Sequence, residues 1–221
     1  MKKIFIVANW KSNKTQTEAA EWLEKSVKIK EILTSLKHKQ IIICPPFTLL
    51  PFCKAVIEKD LLPFTLGAQD ISPYLEGAYT GEVNGKQIKE FGDFVIIGHS
   101  ERRVCFSESD ELLAQKVVMS QKFNLVPIFC VQDQDTLFPK GSQVIAYEPP
   151  SAIGTGNPDN PEKANDIAKV LKEQSVPYVL YGGSVTAENV SHFTSLPNID
   201  GVLVGGASLD AQEFFKIIQN A

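Results

Sequence analysis

Cysteine is sparse and unpatterned in this chain. Cys44, Cys53, Cys105 and Cys130 form neither a C-x-x-C pair nor a metal-ligand spacing, so reduced thiols are expected in place of a disulfide framework or a structural zinc. No hydrophobic run reaches the length of a membrane span, and the apolar residues 4–8 are too few for the core of a secretory signal. Basic charge is not in excess either. The 22 Lys and Arg stand against 26 Asp and Glu, a net of −4, and they are scattered without a stripe or interleaved aromatics, which argues against a nucleic-acid partner. A soluble, cytoplasmic protein with neither a nucleic-acid nor a membrane partner is therefore expected. What the chain does have, 43% hydrophobic and 22% charged residues over 221 positions, is enough for a large core and predicts one domain spanning residues 1–221.

Apolar, β-branched runs bounded by turn residues predict eight strands, at 4–9, 40–44, 63–69, 93–99, 125–130, 143–148, 177–182 and 200–205. Most of these runs are continuous where a half-exposed strand would alternate, the pattern of parallel strands covered on both faces. Amphipathic stretches at 17–36, 48–59, 85–91, 108–122, 161–174, 187–194 and 209–219 fill the gaps between them. Only the connection 131–142 lacks a helix-length pattern. The alternation predicts an α/β fold, a (β/α)8 barrel with the helix between strands 5 and 6 shortened or missing. An open doubly wound sheet shares the alternation, and strand count alone does not establish closure. Its dinucleotide fingerprint G-x-G-x-x-G does not follow the first strand.

Chemistry in such barrels gathers at the carboxyl ends of the strands. Strand 1 delivers Asn9 and Lys11, whose two-residue spacing lets both side chains face one way, suited to an anionic oxygen. Strand 4 runs into Gly98-His99-Ser100-Glu101-Arg102-Arg103, and His99 is the one histidine of three at a strand end, with Gly98 expected to clear space beside it. Strand 6 ends on Glu148, followed at once by Pro149-Pro150, and then by Ile153-Gly154-Thr155-Gly156, small residues suited to a moving lid with amides for an anion. Strands 7 and 8 end on Tyr181-Gly182-Gly183-Ser184 and Gly205-Gly206-Ala207-Ser208. Paired glycines after the last two strands of a barrel are a recurrent phosphate cradle. A base, a histidine, a cation and a phosphate cradle, with neither metal nor cofactor, predict proton transfer on a small phosphorylated carbonyl compound.

Several motifs in order then carry a resemblance: Ala8-Asn9-Trp10-Lys11, Gly67-Ala68-Gln69, Gly77-Ala78-Tyr79-Thr80-Gly81-Glu82, the run from Gly98 to Arg103, Ala146-Tyr147-Glu148-Pro149, and the glycine loops after strands 6, 7 and 8. Through almost its whole length the chain resembles the triosephosphate isomerases. That resemblance implies interconversion of dihydroxyacetone phosphate and glyceraldehyde 3-phosphate, in glycolysis and gluconeogenesis. It implies Glu148 as the base, neutral His99 as the group that polarises the carbonyl, and Lys11 as the balancing cation beside Asn9. The amides of Gly154, Ser184, Gly205 and Gly206 are implied to hold phosphate, Ser100 and Glu101 to position Glu148 and Lys11, and Tyr181 to latch the lid. A homodimer through loop 69–82 is implied as well, with Thr80 supporting the partner's Asn9 and Lys11.

The chain departs from the family pattern in three places. Cys130 and Glu148 are only 18 positions apart, barely room for a βαβ crossover of at least about 10–12 residues, which predicts a plain loop that leaves the barrel's side exposed or covered by neighbouring helices. Gln132-Asp133 and Asp70 replace the usual Gly-Glu and Asn. The lid hinge reads Pro149-Pro150-Ser151 and lacks the family's tryptophan, which predicts altered lid energetics, with methylglyoxal as a product if closure fails. Two rival readings remain: a metal-dependent sugar-phosphate epimerase, which needs clustered His and Asp where only His99 is available, and a catalytically silent barrel that binds phosphorylated metabolites.

Overall fold

A computed structural model describes residues 2–152, 154 and 156–221; Met1 and two residues of the expected lid, Ile153 and Thr155, lie outside the described residues. The strands are β1 (Ile4–Asn9), β2 (Lys39–Cys44), β3 (Phe64–Ala68), β4 (Phe94–Ile97), β5 (Val126–Val131), β6 (Val144–Tyr147), β7 (Tyr178–Tyr181) and β8 (Gly201–Val204). They pair in sequence order, every pair parallel, and β1 closes on β8 to complete the barrel. The helices are α1 (Gln16–Lys28), α2 (Lys30–Ser35), α3 (Leu50–Asp60), α4 (Gly85–Lys89), α5 (Ser100–Cys105), α6 (Asp110–Lys122), α7 (Pro161–Glu173), α8 (Val190–Thr194) and α9 (Ala211–Asn220). The closed (β/α)8 barrel expected from the alternation is thus observed.

Continuous apolar runs are explained by two cores that share each strand. Side chains alternate across a strand, so Phe5, Val7, Ile42, Cys44, Phe94, Ile96, Ile128, Cys130, Val144, Ala146, Leu180 and Leu203 fill the barrel. Their neighbours Ile6, Ala8, Ile41, Ile43, Val95, Ile97, Phe129, Val131, Ile145 and Tyr147 point outward against the helices. Closure itself depends on one glycine. Gly201 has φ +154° and pairs with Phe5, and a Cβ there would lie 2.0 Å from the Phe5 carbonyl oxygen. Gly201→Ala is expected to cost about 1–3 kcal/mol by overpacking the seam; an unchanged denaturation midpoint would contradict this.

The connection between β5 and β6 is a loop, as the short spacing requires. It is organised locally: Asp133 accepts from the Asp135 amide at 3.0 Å and from the Thr136 hydroxyl at 2.8 Å, and the Ser142 hydroxyl donates to the Pro139 carbonyl. The barrel's side is not laid bare. Outward-facing Phe129, Val131, Ile145 and Tyr147 remain at most 3% exposed, and the half-buried Phe138 of the loop packs on this outer core, while Leu137 stands in solvent.

Three local expectations change. The predicted helix 17–36 is broken at Ile29, whose φ −119° and ψ 17° leave the helical region; nothing in the structure explains the break. Helix α5 was not expected from the sequence, where residues 100–103 read as loop. Strand β4 stops at Ile97, because Gly98 turns the chain with φ +73°, and a Cβ there would press on Arg103 and Leu113 at 3.2 Å. Gly98 therefore makes the turn that aims His99 and does not clear space for its ring.

Candidate active site

A cavity of about 280 Å3 opens at the carboxyl end of the barrel, lined by Asn9, Lys11, His99, Glu148, Gly154, Gly156, the loop after β7 and the loop after β8. Each of its reactive residues arrives by a local device. Glu148 follows β6 directly; its amide still donates to the Val131 carbonyl at 2.8 Å, so strand pairing holds its backbone. Its side chain is 2% exposed. Oε2 accepts from the Ser100 amide at 2.9 Å, and Oε1 lies 3.1 Å from His99 Nε2. A buried carboxylate needs such donors, since an unpaired one costs several kcal/mol.

His99 caps α5. Its Nδ1 accepts the Glu101 amide proton at 3.2 Å, which leaves no room for a proton on Nδ1. The hydrogen-bond network therefore assigns the neutral tautomer with the proton on Nε2, the nitrogen that faces Glu148 and the cavity.

Lys11 adopts φ +52°, a conformation that disfavours side chains. The strain is held from two sides: the Asn9 carboxamide oxygen accepts from the Lys11 amide at 3.0 Å, and Gln69 Nε2 donates to the Lys11 carbonyl at 2.9 Å. This turn sends the side chain across Gly205, where a Cβ would lie 3.1 Å from Lys11 Cε. Nζ ends 2.6 Å from Glu101 Oε1, leaving the ammonium at the cavity wall. Gly154, Ser184, Gly205 and Gly206 line the same cavity, and the Ser184 hydroxyl donates to the Ala152 carbonyl at 2.6 Å.

The structure thus brings Asn9, Lys11, His99, Glu148, Gly154, Ser184, Gly205 and Gly206 together, with Ser100 and Glu101 in direct contact with them. Two residues implied as supports do not line the cavity. Tyr181 is 1% exposed, and its hydroxyl accepts from the Asp159 amide at 2.8 Å. Thr80 sits on the exposed loop 69–82 and lines no part of the cavity.

Sequence reasoning missed three supports. Gln69 braces Lys11. Gly182 leaves room for the base, since a Cβ there would come within 2.9 Å of Glu148 Cγ. Cys130 points from inside the barrel at the Glu148 carboxylate; burial, then that negative charge, push its thiol well up, so it stays protonated as a donor. A cysteine facing inward one residue before the end of β5 was the only available signal. Among the described residues no three His, Cys, Asp or Glu side chains cluster as a metal site requires, and no helix is long and apolar enough to cross a membrane.

Comparison with known proteins points the same way. The sequence model of the family Triosephosphate isomerase matches residues 4–221. Curated proteins named triosephosphate isomerase are similar over their full lengths: that of Mesomycoplasma hyopneumoniae (strain 232) is 38% identical with 100% of both chains covered, and that of Dictyoglomus turgidum 36% with 100% of both. That of Trichodesmium erythraeum is 37% identical, with 99% of each chain covered. The first alignment runs over 246 positions against 221 residues here, so that relative carries residues with no counterpart in this chain.

Proposed function

Because the chain belongs to the triosephosphate isomerase family, it is an aldose–ketose isomerase of dihydroxyacetone phosphate and D-glyceraldehyde 3-phosphate, and we propose that Glu148, His99, Lys11 and Asn9 carry the reaction. The observation that supports this reading most is the convergence of the Glu148 carboxylate and the His99 Nε2–H, 3.1 Å apart, at the wall of one cavity. Glu148 removes a proton from the carbon beside the carbonyl, and the His99 Nε2–H donates to the oxygen on which negative charge develops. His99 then serves the neighbouring oxygen as the proton returns to the other carbon. Substrate must first take the Nε2–H from Glu148, which frees the carboxylate for the carbon acid. Lys11 and Asn9 oppose the charge of the enediolate, and the amides of Gly154, Ser184, Gly205 and Gly206 receive the phosphate. Turnover in D2O tests proton transfer: residual substrate and product should acquire solvent deuterium at the exchanging carbons. A hydride shift, leaving both unlabelled, would contradict it.

We further propose that two chains associate through loop 69–82. Tyr74 and Tyr79 stack there at 4.2 Å and are each more than 40% exposed, as is Leu75, while Val104 and Phe106 also stand in solvent. A second hollow of about 180 Å3, lined by Asn9, Lys11, Gln69, His99, Glu101 and Phe106 among others, lies beside the cavity and suits the partner's Thr80. Sedimentation should give about twice the 24.4 kDa chain mass; a monomer at micromolar concentration would contradict the association. The cytoplasm is the proposed compartment, supported by the free cysteines Cys44, Cys53, Cys105 and Cys130, and cell fractionation tests it.

A further inference from the structure

After β8 the chain makes one tight helical turn, Gly206–Ser208, whose geometry is set from behind the cavity. The Ser208 hydroxyl donates to the Gly205 carbonyl at 2.6 Å, and the Ser208 amide reaches the same oxygen at 2.9 Å. A trans peptide is planar and carries its carbonyl and the following N–H on opposite sides. Fixing the Gly205 carbonyl therefore fixes the direction of the Gly206 N–H. Gly205 itself has φ −88° and ψ −108°, outside the broad wells that other residues occupy, so the turn needs support from its surroundings.

That support comes from the start of the chain. Helix α1 opens on a Thr15 cap, whose hydroxyl accepts from the Glu18 amide while the Glu18 carboxylate accepts from the Thr15 amide, and it buries Ala19, Trp22, Leu23 and Ser26 at helical spacing. Trp22 is 2% exposed, and its indole Nε1 donates to the Ser208 carbonyl at 3.1 Å. Trp10 at 5.2 Å, Phe64 at 5.9 Å, Phe214 at 5.8 Å and Phe215 at 5.5 Å surround the ring and fix the direction of its N–H. A second fastening precedes the helix: Lys14 Nζ donates to the Leu209 carbonyl at 2.8 Å and lies over the Trp10 ring. Lys14 has φ +73°, a conformation that disfavours side chains. The neighbouring Trp10 shows that packing alone does not demand such a bond, because its own Nε1 is buried with no partner among the described residues. The bond that Trp22 makes is thus separable from the packing of its ring.

We propose that Trp22 and Lys14 are positioning residues for the isomerisation: from α1 and the loop before it they hold the turn Gly206–Ser208, and so aim the Gly206 amide at the phosphate of the substrate. This rests on the reading of the amides of Gly205 and Gly206 as part of a phosphate cradle. Neither side chain lines the cavity, so both act through the backbone they hold. Glu148, His99 and Lys11, which face the reacting carbons, are braced by other groups, Ser100, Glu101, Asn9 and Gln69. Loosening the turn therefore removes what the phosphate contributes to the transition state and leaves a substrate without phosphate as it was.

The test measures kcat/KM for D-glyceraldehyde 3-phosphate and for D-glyceraldehyde, together with competitive inhibition by inorganic phosphate, in the native protein, Trp22→Phe, Lys14→Met and Phe64→Leu. Trp22→Phe keeps an aromatic ring and removes the N–H, Lys14→Met keeps the stem and removes the donor, and Phe64→Leu loosens the same aromatic cluster while leaving both donors in place. Trp22→Phe and Lys14→Met should each lower kcat/KM for the phosphorylated substrate about threefold to tenfold, and weaken inhibition by phosphate to match, the order expected from one lost hydrogen bond. D-Glyceraldehyde should be turned over at the native kcat/KM by both. Phe64→Leu should melt at a lower temperature and keep the native ratio between the two substrates. Equal losses on both substrates in Trp22→Phe, a native ratio in it, or the same shift in Phe64→Leu would overturn the proposal. Should Trp22→Phe fail to fold, Lys14→Met decides by the same ratio. If the native protein turns over both aldehydes alike and is not inhibited by phosphate, the cradle itself is misread and the proposal falls with it.

Discussion

Glu148→Gln is expected to lower kcat by about 10^3 to 10^4, the range for removal of a positioned general base, with KM changed by less than about threefold. The amide matches the carboxylate in size, and its oxygen can still accept from the Ser100 amide now 2.9 Å away. Folding should therefore survive, and so should the cavity. What disappears is the ability to take a proton from carbon, since no other carboxylate lines this cavity among the described residues. The amide nitrogen then faces the His99 Nε2–H from the position now held by Oε1, donor against donor, so a modest loss of stability short of unfolding is expected. Steady-state kinetics with a thermal melt checks both halves. A variant that keeps a tenth of native kcat would remove Glu148 from the role of base.

Lys11→Met should reduce kcat/KM by about 10^2 to 10^3, the usual consequence of deleting one preorganised group that faces developing charge. Methionine preserves the stem that packs across Gly205 and leaves the brace from Gln69 untouched, because that bond goes to the Lys11 carbonyl. The loss should appear in KM as well as kcat, since the ammonium opposes the charge of the bound substrate before it opposes that of the enediolate. Glu101, ion-paired with Lys11 at 2.6 Å, would be left without its cation and would add repulsion toward an anionic ligand. Lys11→Gly offers a control on stability. It removes a strain that typically costs about 1–2 kcal/mol for a non-glycine residue at positive φ, so unfolding free energy should not fall while activity does. An unchanged kcat/KM in Lys11→Met would show that the strained turn serves the fold and not the chemistry.

The barrel was legible because a parallel strand covered on both faces must be apolar at every position, and eight such runs leave little else to build. The reactive side chains were legible for a related reason: a lysine, a histidine or a glutamate interrupting an apolar run at its carboxyl end stands out. The braces were not. Gln69, Cys130 and Gly182 act through neighbours far away in sequence, and nothing local distinguishes them from ordinary loop or core residues. Helix α5 escaped notice because its six residues carry no hydrophobic period, and its start is capped by His99, which is not a usual capping residue. The loop between β5 and β6 was predictable from length alone, yet the way Phe138 covers the outer core was not.

The most direct test of the account is the initial rate of glyceraldehyde 3-phosphate formation from dihydroxyacetone phosphate by the unmodified protein, measured with the reverse reaction under the same conditions. Rapid turnover in both directions, with the ratio of the two kcat/KM values fixed by the reaction's equilibrium constant, is the predicted result. Saturable binding of dihydroxyacetone phosphate with no turnover in either direction would contradict it and leave a phosphate-binding barrel without catalysis.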